Sequence, residues 1–179
     1  MVKKLLLGLA VLVAIGVVFV ALQPAEFSVE RSHVVAAPAE QIYPHIASLR
    51  AMDVWSPWVK MDPKLKIVYE GPEAGVGARS SWEGPEMGKG RLEITRAAAP
   101  REVDMQLTML EPMAATNQIR FRLEPASAGT EVSWSMRGRN GFLGKLFSLF
   151  LDMDTMVGGE FAKGLAALER QVETETARQ

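Results

Sequence analysis

Glu102–Glu111, EVDMQLTMLE, carries the clearest structural signal in this chain, because apolar and polar residues alternate along it from Glu102 to Met109. The same alternation returns in Asn117–Glu124 (NQIRFRLE) and Thr130–Gly138 (TEVSWSMRG). Successive side chains of a β-strand point to opposite faces, so each segment has one apolar and one polar face. Regularly spaced short strands of this kind predict an antiparallel meander with one face against a core.

Upstream of these segments the pattern predicts further strands, separated by turn signals that contain Gly or Pro. They cover Glu26–Ala36, Lys66–Glu70, Ala78–Glu83 and Gly90–Ala98. Pro38 opens a short helix after the first strand, and Pro44 limits or kinks it. The prediction is therefore a sheet of about seven strands.

After the last strand the apolar period changes to that of a helix. From Phe142 to Val172 apolar residues recur every three or four positions, which predicts a helix of roughly 30 residues. An amphipathic helix of this length must bury its stripe against the sheet. The sequence thus predicts an α+β helix-grip domain over residues 26–173, in which a curved antiparallel sheet (order β-α-α-β6-α) surrounds the long C-terminal helix, with residues 174–179 as a polar tail.

The N-terminal segment, residues 1–25, is predicted to be a single transmembrane anchor. Leu5–Leu22 contains eighteen positions without a charge, and a helix of that length spans about 27 Å. Lys3 and Lys4 precede the run, so the positive-inside bias places the N-terminus in the cytoplasm and the domain outside, in the periplasm if the source is Gram-negative. The alternative is a cleaved signal peptide, although the run exceeds the usual apolar core of about 7–15 residues and no small-x-small site follows.

Length, net charge and the cysteine count exclude several classes of partner and chemistry. The 179 residues suffice for one domain plus a short extra element. The net charge is −1, and removing the two positive charges of Lys3 and Lys4 leaves −3 for the rest, which does not favour nucleic acid as a partner. The chain has no cysteine, which excludes disulfides, thiolate catalysis and cysteine-ligated metal.

A set of residues in register with these strands carries a family resemblance. It comprises Trp55-Ser56-Pro57-Trp58, Asp62-Pro63, Glu70-Gly71, Gly75-Val76-Gly77, Trp82 and Gly84. The chain resembles the START-like, polyketide cyclase/dehydrase and lipid transport (SRPBCC) superfamily over residues 26–173. The resemblance implies a hydrophobic pocket between the curved sheet and the last helix, but it does not specify a chemistry, since the superfamily includes carriers, hormone-binding proteins, cyclases and chaperone regulators.

Candidate ligand-binding residues follow from the aromatic and inward-facing apolar positions. Aromatic side chains offer a large apolar area with a polar edge, and flexible thioethers suit a pocket that takes several shapes. The predicted set is Trp55, Trp58, Trp82, Met105, Met109, Phe121, Trp134, Met136, Phe150 and Val157. For each of these residues, packing in an ordinary core is the alternative.

Two acidic residues are candidates for polar groups in the pocket. Glu70 shares parity with Val68 on its strand, and Asp154 lies beside the apolar stripe of the C-terminal helix. If either points inward, it could orient a ligand or transfer a proton. His33 and His45 are the only histidines and show no metal-binding spacing, so we predict no metal. We also assign no cofactor and no catalytic residue.

The segment FLGKLFSLFLDM, residues 142–153, is apolar nearly all round. Such a surface usually marks an interface or a membrane contact. Here burial over the pocket and partial insertion into the nearby bilayer are both open, and Gly158 and Gly159 would permit a bend further along the helix.

The leading functional hypothesis is a membrane-anchored, non-catalytic protein that binds a hydrophobic small molecule or lipid. One alternative is a cyclase or dehydratase acting on a polyketide-like substrate. The other is a structural or partner-binding domain with a filled core, for which no pocket above about 300 Å³ would be present.

Overall fold

The computed structural model describes residues 2–150 and 152–178. Its centre is one antiparallel sheet of seven strands in the order β1-β7-β6-β5-β4-β3-β2. The strands are β1 (Glu26–Val35), β2 (Lys66–Glu70), β3 (Arg79–Gly84), β4 (Gly88–Ala98), β5 (Glu102–Glu111), β6 (Ala115–Ala126) and β7 (Gly129–Arg139). The helices are α1 (Val2–Leu22), α2 (Ala39–Ala47), α3 (Leu49–Trp55), α4 (Pro57–Met61), α5 (Phe142–Ser148) and α6 (Met153–Thr176).

The alternation read from the sequence places one face of the sheet in the core. Along β7, every second residue from Thr130 to Met136 is buried, and Val103 and Met105 of β5 are fully buried. The long helix α6 contributes Phe161, Leu165 and further apolar residues to the same core. These contacts confirm the predicted helix-grip architecture, a curved sheet of seven strands around a long C-terminal helix.

The segment between β1 and β2 contains more helix than expected. In place of the two helices of the predicted order, three helices, α2, α3 and α4, follow one another closely. Ser48 begins α3 by accepting a hydrogen bond from the backbone N–H of Ala51, and Pro57 occupies the first turn of α4. A serine cap and a proline in the first turn both favour helix starts.

The sequence predicts one long C-terminal helix, but the structure has two, α5 and α6. Asp152 caps α6, since its Oδ1 accepts hydrogen bonds from the backbone N–H groups of Asp154 (3.0 Å) and Thr155 (3.3 Å). Aspartate is among the strongest helix-initiating residues, and its cap outweighs the continuous apolar period. Leu151 of the apolar segment lies outside the described residues. The break precedes the glycines, and α6 runs on to Thr176, past the predicted end of the domain at residue 173.

Strand register defines two ends of the sheet. Glu26 at the start of β1 pairs with Arg139 at the end of β7, and Asn117 near the start of β6 pairs with Gly138. These residues lie at the end of the sheet next to α1, which we call the proximal end. At the opposite, distal end, α2 and the C-terminal half of α6 pack on the sheet with fully buried side chains such as Ile42 and Leu168.

Candidate ligand cavity

A cavity of about 360 Å³ lies between the sheet and the helices α3, α4 and α6. Its wall is formed by Met52, Asp53, Ser56, Trp58, Val59, Leu65, Ile67, Ser80, Trp82, Met87, Leu92, Leu107, Met109, Asn117, Ile119, Trp134, Met136, Met153 and Val157. Ligand pockets in proteins measure about 300–1,000 Å³ and are mostly apolar. The volume and the mostly apolar lining of this cavity both match those of a small-ligand site.

The cavity occupies the proximal half of the sheet. Asn117 and Leu107, which are paired on β6 and β5, line it, whereas Phe121 and Val103, which are paired further along the same strands, lie in the filled core. The helix α6 begins only at Met153 and crosses toward the distal half, where its later turns fill the space above the sheet. The proximal half therefore remains open beneath the first turns of α6.

Three of the four tryptophans line the cavity: Trp58, Trp82 and Trp134. Trp134 is held in place by Phe161, whose ring stacks on it at a centroid distance of 4.1 Å. Trp55 lies behind this wall, where its Nε1 donates to the His45 carbonyl oxygen at 3.0 Å and its ring meets Trp134 edge-on at 5.6 Å. The structure thus places Trp55 in the packing that supports the wall.

The other predicted ligand-binding residues divide between the wall, the core and the surface. Met109, Met136 and Val157 line the cavity. Met105 and Phe121 are fully buried in the core cluster beyond it. Phe150 is 80% exposed and borders a shallow hollow on the surface between β1 and the start of α6.

Neither predicted acidic group lies on the cavity wall. Glu70 is exposed at the distal end of β2. Asp154 forms an exposed ion pair with Arg31 at 2.8 Å, and this side-chain hydrogen bond lowers the pKa of Asp154. The Glu70 side chain is exposed to solvent on the edge strand β2, and the Asp154 side chain reaches toward Arg31 of β1, so neither enters the cavity.

The acidic residue that does line the cavity is Asp53, which sequence reasoning missed. Its Oδ2 accepts a hydrogen bond of 2.5 Å from the Tyr69 hydroxyl. Burial raises the pKa of Asp53, and the hydrogen bond from Tyr69 only partly offsets this. Burial and the same pairing raise the pKa of Tyr69 to about 12. The guanidinium of Arg50 lies 4.0 Å from the centre of the Tyr69 ring and holds it from the outer side.

Asp62 fastens the loops at the rim of the cavity. Its Oδ2 accepts from the backbone N–H groups of Glu86 (2.9 Å) and Met87 (3.1 Å), and its Oδ1 accepts from that of Lys64 (3.1 Å). Desolvation alone would raise the pKa of Asp62, but the three backbone donors lower it. Because Leu65 and Met87 both line the cavity, the Asp62 carboxylate positions part of its wall.

Two further polar atoms are buried beside the cavity without a hydrogen-bond partner in the described part of the chain: Asn117 Oδ1 and Trp134 Nε1. Ser56 and Ser80 are also buried on the wall. A buried polar group without a partner is destabilising. The apolar wall therefore contains a few polar positions that are not used in holding the fold together.

In residues 2–150 and 152–178, no group of three or more His, Asp or Glu side chains is arranged to hold a metal ion. Each histidine instead contacts a glutamate of α6: His33 Nε2 lies 2.7 Å from Glu169 Oε2, and His45 Nε2 lies 3.3 Å from Glu175 Oε2. Both pairs join α6 to the elements packed against it.

Solved structures share this fold at low sequence identity. Norcoclaurine synthase of Thalictrum superimposes with a TM-score of 0.63 at 13% identity, covering 87% of this chain and 99% of that one. Ara h 8.0201 gives 0.59 at 15% identity, covering 83% and 99%. The Aha1 protein of Colwellia psychrerythraea gives 0.58 at 17% identity, covering 82% and 96%. At these identities the likeness concerns the fold alone.

Sequence comparison supplies the family. No curated protein matches this chain. The family model described as polyketide cyclase/dehydrase and lipid transport matches residues 26–173. This match covers the sheet and nearly all of α6, and it confirms the resemblance to the START-like superfamily. The chain therefore belongs to the polyketide cyclase/dehydrase and lipid transport family.

Proposed function

We propose that this chain is a membrane-anchored protein that binds a hydrophobic small molecule or lipid in the cavity of its proximal half. The observation that carries the proposal is the cavity of about 360 Å³ with an almost wholly apolar wall. A domain with a filled core would not contain a space of this size, because protein interiors are close-packed.

The composition of the wall indicates what kind of molecule it accepts. Five of the ten methionines line it, and thioether side chains adapt to ligands of several shapes. Apart from the indole N–H groups, the polar side chains of the wall are those of Asp53, Ser56, Ser80 and Asn117. A mainly hydrocarbon molecule with one or two hydrogen-bonding groups matches this lining.

The anchor in this proposal is α1, Val2–Leu22, the one helix among the described residues that is long and apolar enough to cross a membrane. A signal sequence near the N-terminus passes the same test. Only three residues, Gln23–Ala25, separate α1 from β1, so a retained α1 keeps the domain at the membrane surface. Lys3 and Lys4, in the first turn of α1, favour a cytoplasmic N-terminus and hence a domain on the extracytoplasmic side.

A matched pair of variants tests ligand binding. Val157 lines the cavity, so Val157→Phe places a ring in the space that a ligand would occupy. Val68 is 60% exposed on β2 and lies off the wall, so Val68→Phe makes the same change without touching the cavity. A panel of brominated fatty acids and phospholipids supplies ligands that quench nearby tryptophans.

The expected result is saturable quenching of the wild type and of Val68→Phe, since three of the four tryptophans lie on the wall. Val157→Phe is expected to weaken binding at least tenfold. Equal quenching of both variants would contradict the cavity as the binding site, and absence of saturable quenching in the wild type would contradict the proposal itself.

Asp53 supports a second candidate, an enzyme of the cyclase or dehydratase type. A carboxyl with a raised pKa beside an apolar cavity is suited to donating or accepting a proton. With a poly-β-ketone analogue as the probe, an enzyme releases a product that is one water lighter or newly cyclised, and Asp53→Asn stops this conversion without abolishing binding. A carrier returns the analogue with its mass and connectivity unchanged.

A further inference from the structure

The segment around α5 exposes a continuous apolar surface. We define the α5 patch as Phe142, Leu143, Phe147, Leu149 and Phe150, which are 45%, 55%, 48%, 39% and 80% exposed. These residues lie within nine positions of the chain, and Lys145 is the only charged residue among them. Large exposed apolar patches mark sites that contact another molecule or a membrane.

The α5 patch does not serve as a roof for the cavity. None of its five residues lines the cavity, and the part of the C-terminal region that does is α6, through Met153 and Val157. Burial over the pocket, one of the two roles open for residues 142–153, applies to Met153 but not to the α5 patch. The patch requires a different occupant.

The position of α5 beside α1 identifies that occupant. The pairing of Glu26 with Arg139 brings the chain leaving α1 next to the chain entering α5. The Asn140 N–H donates to the Ala25 carbonyl oxygen at 2.7 Å, and Lys145 Nζ donates to the Ala21 carbonyl oxygen at 2.8 Å. The α5 patch thus lies at the level where α1 ends, which is the bilayer surface for a spanning helix.

Other features of the proximal end agree with contact with lipid. Leu110 near the end of β5 is 58% exposed, Met113 between β5 and β6 is 44% exposed, and Met61 at the end of α4 is 41% exposed. Lys145 carries its charge on a long apolar stem, which allows an amine to remain near headgroups while the stem lies among apolar chains. Interfacial helices bury an apolar face rich in Phe and Leu at the boundary between headgroups and acyl chains.

We propose that the α5 patch inserts into the interfacial layer of the bilayer that α1 spans, as a second membrane contact. The inference rests on the membrane anchoring stated under the proposed function. It fixes the orientation of the domain, because two contacts prevent rotation about the short linker. It also sets the half of the sheet that contains the cavity against the leaflet, so that a lipid ligand passes between bilayer and cavity over a short distance.

Single-cysteine labelling tests this inference on the full chain, since the chain contains no cysteine. Leu143→Cys and Phe147→Cys place an environment-sensitive fluorophore on the patch. Val76→Cys is the matched control, because Val76 is 59% exposed and lies between β2 and β3 at the distal end. Leu12→Cys, at a 67% exposed position in the middle of α1, reports on the anchor.

The labelled chains are placed in phosphatidylcholine–phosphatidylglycerol nanodiscs, with nitroxide lipids as quenchers and iodide as the aqueous quencher. We expect labels at 143 and 147 to be quenched by shallow nitroxides at least three times as strongly as the label at 76. Deep nitroxides are expected to quench the label at 12.

Three outcomes would overturn the inference, and they show whether the proposed anchoring by α1 fails with it. If label 12 is quenched but labels 143 and 147 behave like label 76, the second contact is wrong and the anchor stands. If labels 143 and 147 are shielded from iodide yet not quenched by lipid, protein covers the patch. If label 12 is not quenched, the proposed anchoring fails together with this inference.

Discussion

Gly164 sits where α6 crosses Trp134, and Gly164→Ala tests that packing. A Cβ at this position would lie 2.7 Å from Trp134 Cζ3 and 3.1 Å from Pro57 Cδ. Alanine is intrinsically favoured over glycine within a helix by about 0.8–1.0 kcal/mol, whereas overpacking a core costs about 1–3 kcal/mol. The two effects oppose each other, so we expect Gly164→Ala to lower the free energy of unfolding by about 0–2 kcal/mol.

Gly159→Ala is the matched control on the same helix, because nothing lies within 4 Å of a Cβ at that position. Only the helix preference remains there, and we expect a gain of about 1 kcal/mol. Urea unfolding of the full chain in detergent, followed by tryptophan fluorescence, measures both changes in the free energy of unfolding. Equal stabilisation by the two variants would refute the close packing of α6 on Trp134.

Three further predictions concern acidic residues. Because burial raises the pKa of Asp53, the folded chain holds that proton more tightly than the unfolded chain, and the contribution of Asp53 to stability falls as pH rises above about 4. Asp53→Asn should therefore become more stable relative to the wild type as pH rises above about 4, measured by urea unfolding at each pH, and a difference that does not change with pH would contradict this. Desolvation opposes the shift, but backbone donors lower the pKa of Asp62, so its contribution to stability is complete above about pH 4 and is lost as pH falls through the lowered pKa. Asp62→Asn should destabilise the chain at neutral pH, and the difference in free energy of unfolding between variant and wild type should shrink in acid. Glu70→Gln and Asp154→Asn should bind brominated lipids like the wild type, since neither residue lines the cavity; a large loss of affinity would place them in the site.

The strands were predictable because their side-chain alternation is local. Glu102–Met109 and the two segments after it show which face is buried without reference to any partner. The helical period likewise predicts the part that forms α6, which packs on the sheet, but not the exposure of α5, Phe142–Ser148. The division at Asp152 was not predicted, because the apolar period runs across it and the cap depends on two backbone N–H groups that only a helix start presents.

The cavity could be predicted to exist but not to lie in the proximal half. Phe121 and Ile119 occupy the same face of β6 and both belong to the core, but only Ile119 also lines the cavity. The path of α6 across the sheet decides this difference. Asp53 was missed because its role depends on Tyr69, which lies on a strand sixteen residues away. Its one local signal is a charge between the apolar residues Met52 and Val54 of α3.

Native mass spectrometry of the full chain, extracted in mild detergent from its own membranes, tests the central claim most directly. The wild type and Val68→Phe are predicted to retain a stoichiometric lipid or other hydrophobic molecule, which extraction then identifies, and Val157→Phe is predicted to lose it. A wild-type chain that is free of ligand, and that also shows no saturable quenching by the brominated panel, would contradict the account.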